Sequence, residues 1–274
     1  MRVRLVVVGY MLASALAGSL ASECSASKAS PAALPKGAGL LCSDSQVICV
    51  PKSLEQSLIS NPLELTVEAN FADVEVAWEV VDSTGQSLES FSTFQYLEPF
   101  SDQTSSSKTL RLNDYALQPS KSGRGTLVLT PSRYDGTQGV KEFPKLRIPV
   151  RLNTATTVLT ILLPADSEKY EAEVSSSIDD SKPFAPVTPL VPHSVTVMKV
   201  KGEDVMAATV EAVLRAKPGQ AQWHVTGIRV DGKTAHVRIT GDNWAGVSYY
   251  ARSVYYLVAA SLRKFPGIKH VVFD

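Results

Sequence analysis

Four histidines, His193, His224, His236 and His270, are the side chains of this 274-residue chain best suited to move protons or hold a metal ion. The stretch HVTGIRVDGKTAHVRIT (224–240) reads as a β-hairpin turning at Asp231-Gly232, and His270 alternates with apolar neighbours in a final strand. Pleating keeps the rings apart. With Asp231-Gly232 as a two-residue turn, His236 opposes Gly227 and His224 opposes Ile239, on different faces unless a bulge intervenes. Solvated or packed histidines are the expectation. Nucleophilic chemistry has no better footing, for there is no Gly-x-Ser-x-Gly turn. KSGRG (121–125) leads into a strand with no helix to receive a phosphate, and Asp179-Asp180 lies in a polar stretch where hydration is the default. These patterns predict no catalytic residue, no metal site and no cofactor. A hydrolase whose site the sequence conceals stays as a minor alternative.

Cysteine and tyrosine carry the remaining chemistry. Cys42 and Cys49, in CSDSQVIC, are disulfide candidates that would close a small loop in an oxidising compartment, while Cys24 with either partner stays open. No histidine or second cysteine pair stands at ligand spacing beside them. YYARSVYYLVA (249–259) belongs to a helix running from about Trp244 to Phe265. Its core stripe is Trp244, Val247, Ala251, Val254, Tyr255, Val258, Leu262 and Phe265. Tyr250 falls at the border of that stripe. Tyr249 and Tyr256 fall on the reverse side near Arg252 and Arg263 and are not needed for the core. Tyrosine and arginine are enriched at protein interfaces, which makes Tyr249, Arg252 and Tyr256 candidate contact residues. Isolated surface aromatics are the competing explanation.

The elements that must position these residues follow from composition and pattern. Lysine and arginine total 27 and aspartate and glutamate total 27, so no bulk field draws the chain to nucleic acid. MRVRLVVVGYMLASALAGSLAS has two arginines, an apolar run and small residues at Ser19 and Ala21, the layout of a signal peptide over 1–21. An uncleaved anchor and a lipidated Cys24 compete with cleavage, and membrane contact is expected only through this segment. Residues 22–46 are rich in Ser, Ala and Pro and read as a tether.

Residues 47–152 show short alternating runs, among them 63–69, 74–82, 108–112, 125–131 and 145–152, separated by turn residues. That texture predicts an all-β immunoglobulin-like sandwich, with Trp78 facing inward between Val76 and Val80. The order ICVPKSLEQSLISNPLELTVEANF, VEVAWEVVDSTGQSL, LVLTPSRYDG and RIPVRL resembles the immunoglobulin-like domain of bacterial spore-germination proteins.

Residues 153–274 change to an α+β pattern: strands at 156–164 and 194–200 around a long Ser- and Pro-rich connection, a helix in 202–219, the hairpin, the long helix and a last strand at 268–273. Two helices on one face of a sheet are expected. VLTILLP, AATVEAVLRA, IRVDGKTAHVRIT and LRKFPGIKHVVF, in that order, resemble the GerMN domain of sporulation and germination proteins, whose fold is similar to ring-building modules of secretion complexes. The resemblance implies protein partners or self-association, which favours the interface reading of the tyrosines.

Together these readings predict an exported, extracytoplasmic cell-envelope protein that mediates protein assembly without catalysis. The alternative is a cell-wall or carbohydrate binder using loop aromatics such as Tyr96, Phe100 and Tyr134.

Overall fold

Alternation of apolar and polar side chains decides the first half of the chain. In VEVAWEVVD every second residue is buried, and in LRIPVRL the leucine, isoleucine and valine side chains face in while Arg147, Pro149 and Arg151 face out. The computed structural model describes residues 39–69, 74–89, 108–135, 139–176, 184–216, 223–240 and 249–274. Strands β1 (Leu40–Cys42), β2 (Ile48–Pro51), β3 (Leu58–Ile59), β4 (Leu63–Ala69), β5 (Val74–Asp82), β6 (Ser87–Glu89), β7 (Lys108–Asp114), β8 (Arg124–Asp135), β9 (Gly139–Glu142) and β10 (Leu146–Leu152) make two sheets. One has the order β1-β2-β4-β7 and the other β3-β10-β8-β5-β6, with β9 on β8. All pairings are antiparallel except β3 with β10. Ile48, Val50, Leu65 and Val67 of one sheet share a core with Val76, Trp78, Leu127, Leu129 and Ile148 of the other.

The second half packs two ribbons and three helices, among the described residues, around its own core. β11 (Thr156–Pro164) pairs with β12 (Leu190–Met198) along their whole length, with helix α1 (Ser167–Ser176) between them in the chain. Helix α2 (Val205–Ala216), β13 (His224–Asp231), β14 (Thr234–Thr240), helix α3 (Tyr249–Leu262) and β15 (His270–Phe273) follow, with sheet order β13-β14-β15. The expected pair of helices on one face of one sheet is corrected in two respects. α1 is an additional helix, started by the Asp166 side chain accepting from Lys169 N–H at 2.9 Å. α2 is buried from Ala207 to Leu214 on every side, because an alanine-rich helix lets neighbours approach closely all round.

The cores interlock. Tyr115 and Ala116, from the chain after β7, lie in the second core, and Met198 at the end of β12 lies in the first. Asn61, with no exposed surface, joins the segments: its Nδ2 donates to Met198 O at 2.8 Å and to Leu117 O at 3.4 Å, and its Oδ1 accepts from Leu117 N at 2.9 Å. Met198 N donates to Leu117 O at 2.8 Å. A buried amide satisfied on both its ends is a directional tie that apolar packing alone does not supply.

Candidate functional site

Helix α3 carries the residues singled out for protein contact. Burial takes in Ala251, Ser253, Val254, Leu257, Val258, Ala259, Ser261 and Leu262, a wider arc than the predicted core stripe. Two polar stitches tie the helix to its neighbours: the Ser261 hydroxyl Oγ accepts from Leu162 N of β11 at 2.9 Å, and the Ser253 backbone carbonyl accepts from the Tyr170 hydroxyl at 2.9 Å. The least covered strip is Arg252, Tyr256, Ala260 and Arg263. Tyr249 is the first residue of α3, and its side chain lies outside the described residues, as do Trp244, Val247 and the side chain of Tyr250.

Tyr256 corrects one expectation. It is half-buried and packs against the core, its ring meeting Phe184 edge-on at 5.8 Å and 88°, while Phe184 meets Tyr170 edge-on at 5.7 Å and 85°. The reverse side of α3 is therefore partly occluded inside the monomer. The cause is α1 and the strap 184–189, which lie where the sequence pattern showed only a connection. Tyr170 is fully buried, and its phenol is pushed well above its ordinary value by desolvation and then by the charges of Tyr256, Glu171 and Glu173. Arg252 is half-buried and Arg263 exposed. On the other flank Tyr255 stacks at a tilt on Phe273 of β15, centroids 4.1 Å apart, and burial raises its phenol.

A group that the sequence reading passed over lies at α2. Glu211 is 1% exposed; its Oε1 stands 2.8 Å from His224 Nδ1 and 3.5 Å from Arg215 Nε, and its Oε2 accepts from Val225 N at 3.0 Å. Arg215 continues the chain by donating from Nη1 to Ala116 O at 2.6 Å. Burial pushes the Glu211 carboxyl up, but the His224 hydrogen bond, the Arg215 and His224 charges and the Val225 N–H outweigh it and hold it below the usual carboxylate range. The available signal was the lone acid in AATVEAVLRA with an arginine one turn on.

The histidines do not converge. His224 pairs with Thr240 and His236 with Arg229, because the two loop residues of the hairpin are Gly232 and Lys233, with φ +56° at Gly232, and the ladder shifts between Val225 and Gly227. This corrects the expected turn at Asp231-Gly232 by one residue. His236 Nδ1 lies 3.4 Å from Asp274 Oδ1, and His193 and His270 are exposed. Among the described residues no group of three or more His, Cys, Asp or Glu is placed to hold a metal ion, and no helix is long and apolar enough to cross a membrane. Cys42 and Cys49 oppose each other on β1 and β2 and are joined as a disulfide. Tyr96, Phe100, Asp179, Asp180, Cys24 and the N-terminal segment lie outside the described residues, as does the side chain of Tyr134 in β8. No family model, curated protein or solved structure matches this chain.

Proposed function

We propose that this chain is a non-catalytic, exported cell-envelope protein that mediates protein–protein assembly, of the kind found in sporulation and germination. In this reading residues 40–152 are an immunoglobulin-like sandwich, which takes in β1 from the stretch expected to be tether because Leu40–Cys42 pairs with β2, and residues 153–274 are a GerMN-like, ring-building-like domain. The observation that carries the reading is the strand order of the sandwich, β1-β2-β4-β7 against β3-β10-β8-β5-β6, with its one parallel pair at the β3–β10 edge. Two mostly antiparallel sheets sharing a core, with nonconsecutive neighbours such as β4-β7, β5-β8 and β3-β10, support an immunoglobulin-like module, a scaffold common in surface and adhesion proteins. Its tie to the α/β half through Asn61, Leu117 and Met198 supports a spacer that holds the second half in a fixed pose.

Analytical ultracentrifugation of the mature chain, with a pull-down on purified cell wall, tests the proposal. Self-association or capture of a defined envelope protein is the expected result. Retention by cell wall with no self-association overturns it in favour of the wall-binding alternative. Mass spectrometry of the mature N-terminus tests export: a chain beginning near Ser22 is expected, and an intact Met1 in the secreted fraction contradicts cleavage.

A further inference from the structure

We propose that the outer face of the sheet β13-β14-β15 is a docking surface for the acidic side of another folded protein. The inference rests on the assembly reading above and gives that assembly a seat away from α3.

The sheet turns one face to the core and the other to solvent. Ala235, Val237 and Ile239 of β14 lie in the second core, and Val271 and Phe273 of β15 pack against it. Alternation therefore sends His236 and Arg238 outward, with Arg229 opposite His236 on one side and Val272 opposite it on the other. His270 stands two residues before Val272 and shares its face. Arg229, Arg238 and His270 are exposed, and Val272 is 41% exposed.

The charge of this region is lopsided. From Trp223 to Asp274 seven Lys or Arg residues stand against three Asp or Glu, in a chain that is balanced as a whole. Lys233 and Lys269, both exposed, extend the patch at one corner, where Lys269 N donates to Lys233 O at 2.8 Å. Among the described residues the Arg229 and Arg238 guanidinium groups have no carboxylate partner. Beside them is a notch. Gly227 opposes Arg238 and precedes Arg229 by two residues on the same face, and a Cβ built on Gly227 would meet nothing within 4 Å. A carboxylate set into that notch lies next to both arginines, whose forked donors suit it.

The acids in the patch favour a protein over other anions. Asp231 sits at the end of β13, and Asp274 has its Oδ1 3.4 Å from His236 Nδ1. A plane of anionic lipid heads or a uniform polyanion would be pressed against these carboxylates, whereas a folded partner can present acids to the arginines and leave the margins clear. The face also offers Val272 in place of any Trp, Tyr or Phe, so nothing on it anchors in a bilayer or stacks on a base. Arginines around an exposed valine match the make-up of a protein contact.

The test measures, by fluorescence anisotropy, binding of the mature chain to a labelled peptide of alternating Glu and Thr, whose extended form sets its carboxylates on one side. Binding that weakens with salt is expected, and Arg229→Glu with Arg238→Glu should lower the affinity about tenfold or more. Gly227→Glu, which fills the notch where there is room for a side chain, should do the same and keep the circular dichroism spectrum of the parent. Lys145→Glu with Arg147→Glu, an equal charge change at exposed positions of the sandwich, should leave binding unaltered. No binding by the parent, or an equal loss in this control, overturns the proposal. Tighter binding to phosphatidylglycerol vesicles or inorganic polyphosphate, lost in the same variants, also overturns it and makes the face a membrane or polyanion site. Ultracentrifugation separates the two readings: association that persists in Gly227→Glu leaves the assembly reading standing and overturns this face as its seat.

Discussion

Glu211 Oε1 and His224 Nδ1 stand 2.8 Å apart in the second core, on α2 and β13, with Arg215 and the Val225 N–H completing the carboxylate's surroundings. Removing one member of a buried charged group leaves the others uncompensated, which costs about 3 to 5 kcal/mol. Glu211→Ala is expected to destabilise the chain by that amount in urea unfolding. The pH dependence has a definite sign. A carboxyl held below its ordinary value contributes fully above that value and loses its contribution as pH falls through the depressed one. Stability should fall as pH drops below the ordinary glutamate value, with a shallower slope in Glu211→Gln.

Asn61 ties the sandwich to the α/β half. Asn61→Ala strands Leu117 N–H and removes the side-chain donor to Met198 O, two buried groups that together are worth about 2 to 4 kcal/mol. Urea unfolding followed by tryptophan fluorescence reads both cores, through Trp78 in one and Trp223 in the other. One coincident transition is expected in the parent chain, and an earlier transition in the variant.

Gly125 leaves no room for a side chain. A Cβ there would stand 2.7 Å from Val81 O and 2.7 Å from Leu152 Cδ1. One of these is backbone and cannot swing aside, so Gly125→Ala is expected to cost about 1 to 3 kcal/mol, measured as a lowered melting temperature.

The Cys42–Cys49 bridge closes a short loop between β1 and β2. Loop entropy assigns it about 2 to 3 kcal/mol. Cys42→Ser with Cys49→Ser should lose that much in urea, and the parent chain should lose the same on reduction.

Much of this fold was legible because it rests on local alternation. Leu63–Ala69, Val74–Asp82 and Thr156–Pro164 form strands over the spans their patterns predicted. β1 and β3 were not, since three and two residues are too few to show a period. α1 was hidden for a related reason: SEKYEAEVSS has a two-residue stripe, Tyr170 and Val174, inside a serine-rich run. The contact residues show the limit of a helical wheel. It sets Tyr256 off the core stripe, but the ring is half-buried against Phe184, far away in the chain, and nothing local links the two. Glu211 was overlooked because a single carboxylate among alanines and valines resembles a solvated position until α2 turns out to be enclosed.

The exchange of Met198 for Tyr115 and Ala116 between the two hydrophobic clusters bears on how the molecule can be cut. Severing it near residue 153 would give an amino-terminal piece with a hole where a thioether belongs, and a carboxy-terminal piece missing an aromatic plug. Neither fragment inherits a finished interior. Anyone seeking a smaller workable version of this protein should keep the two halves joined.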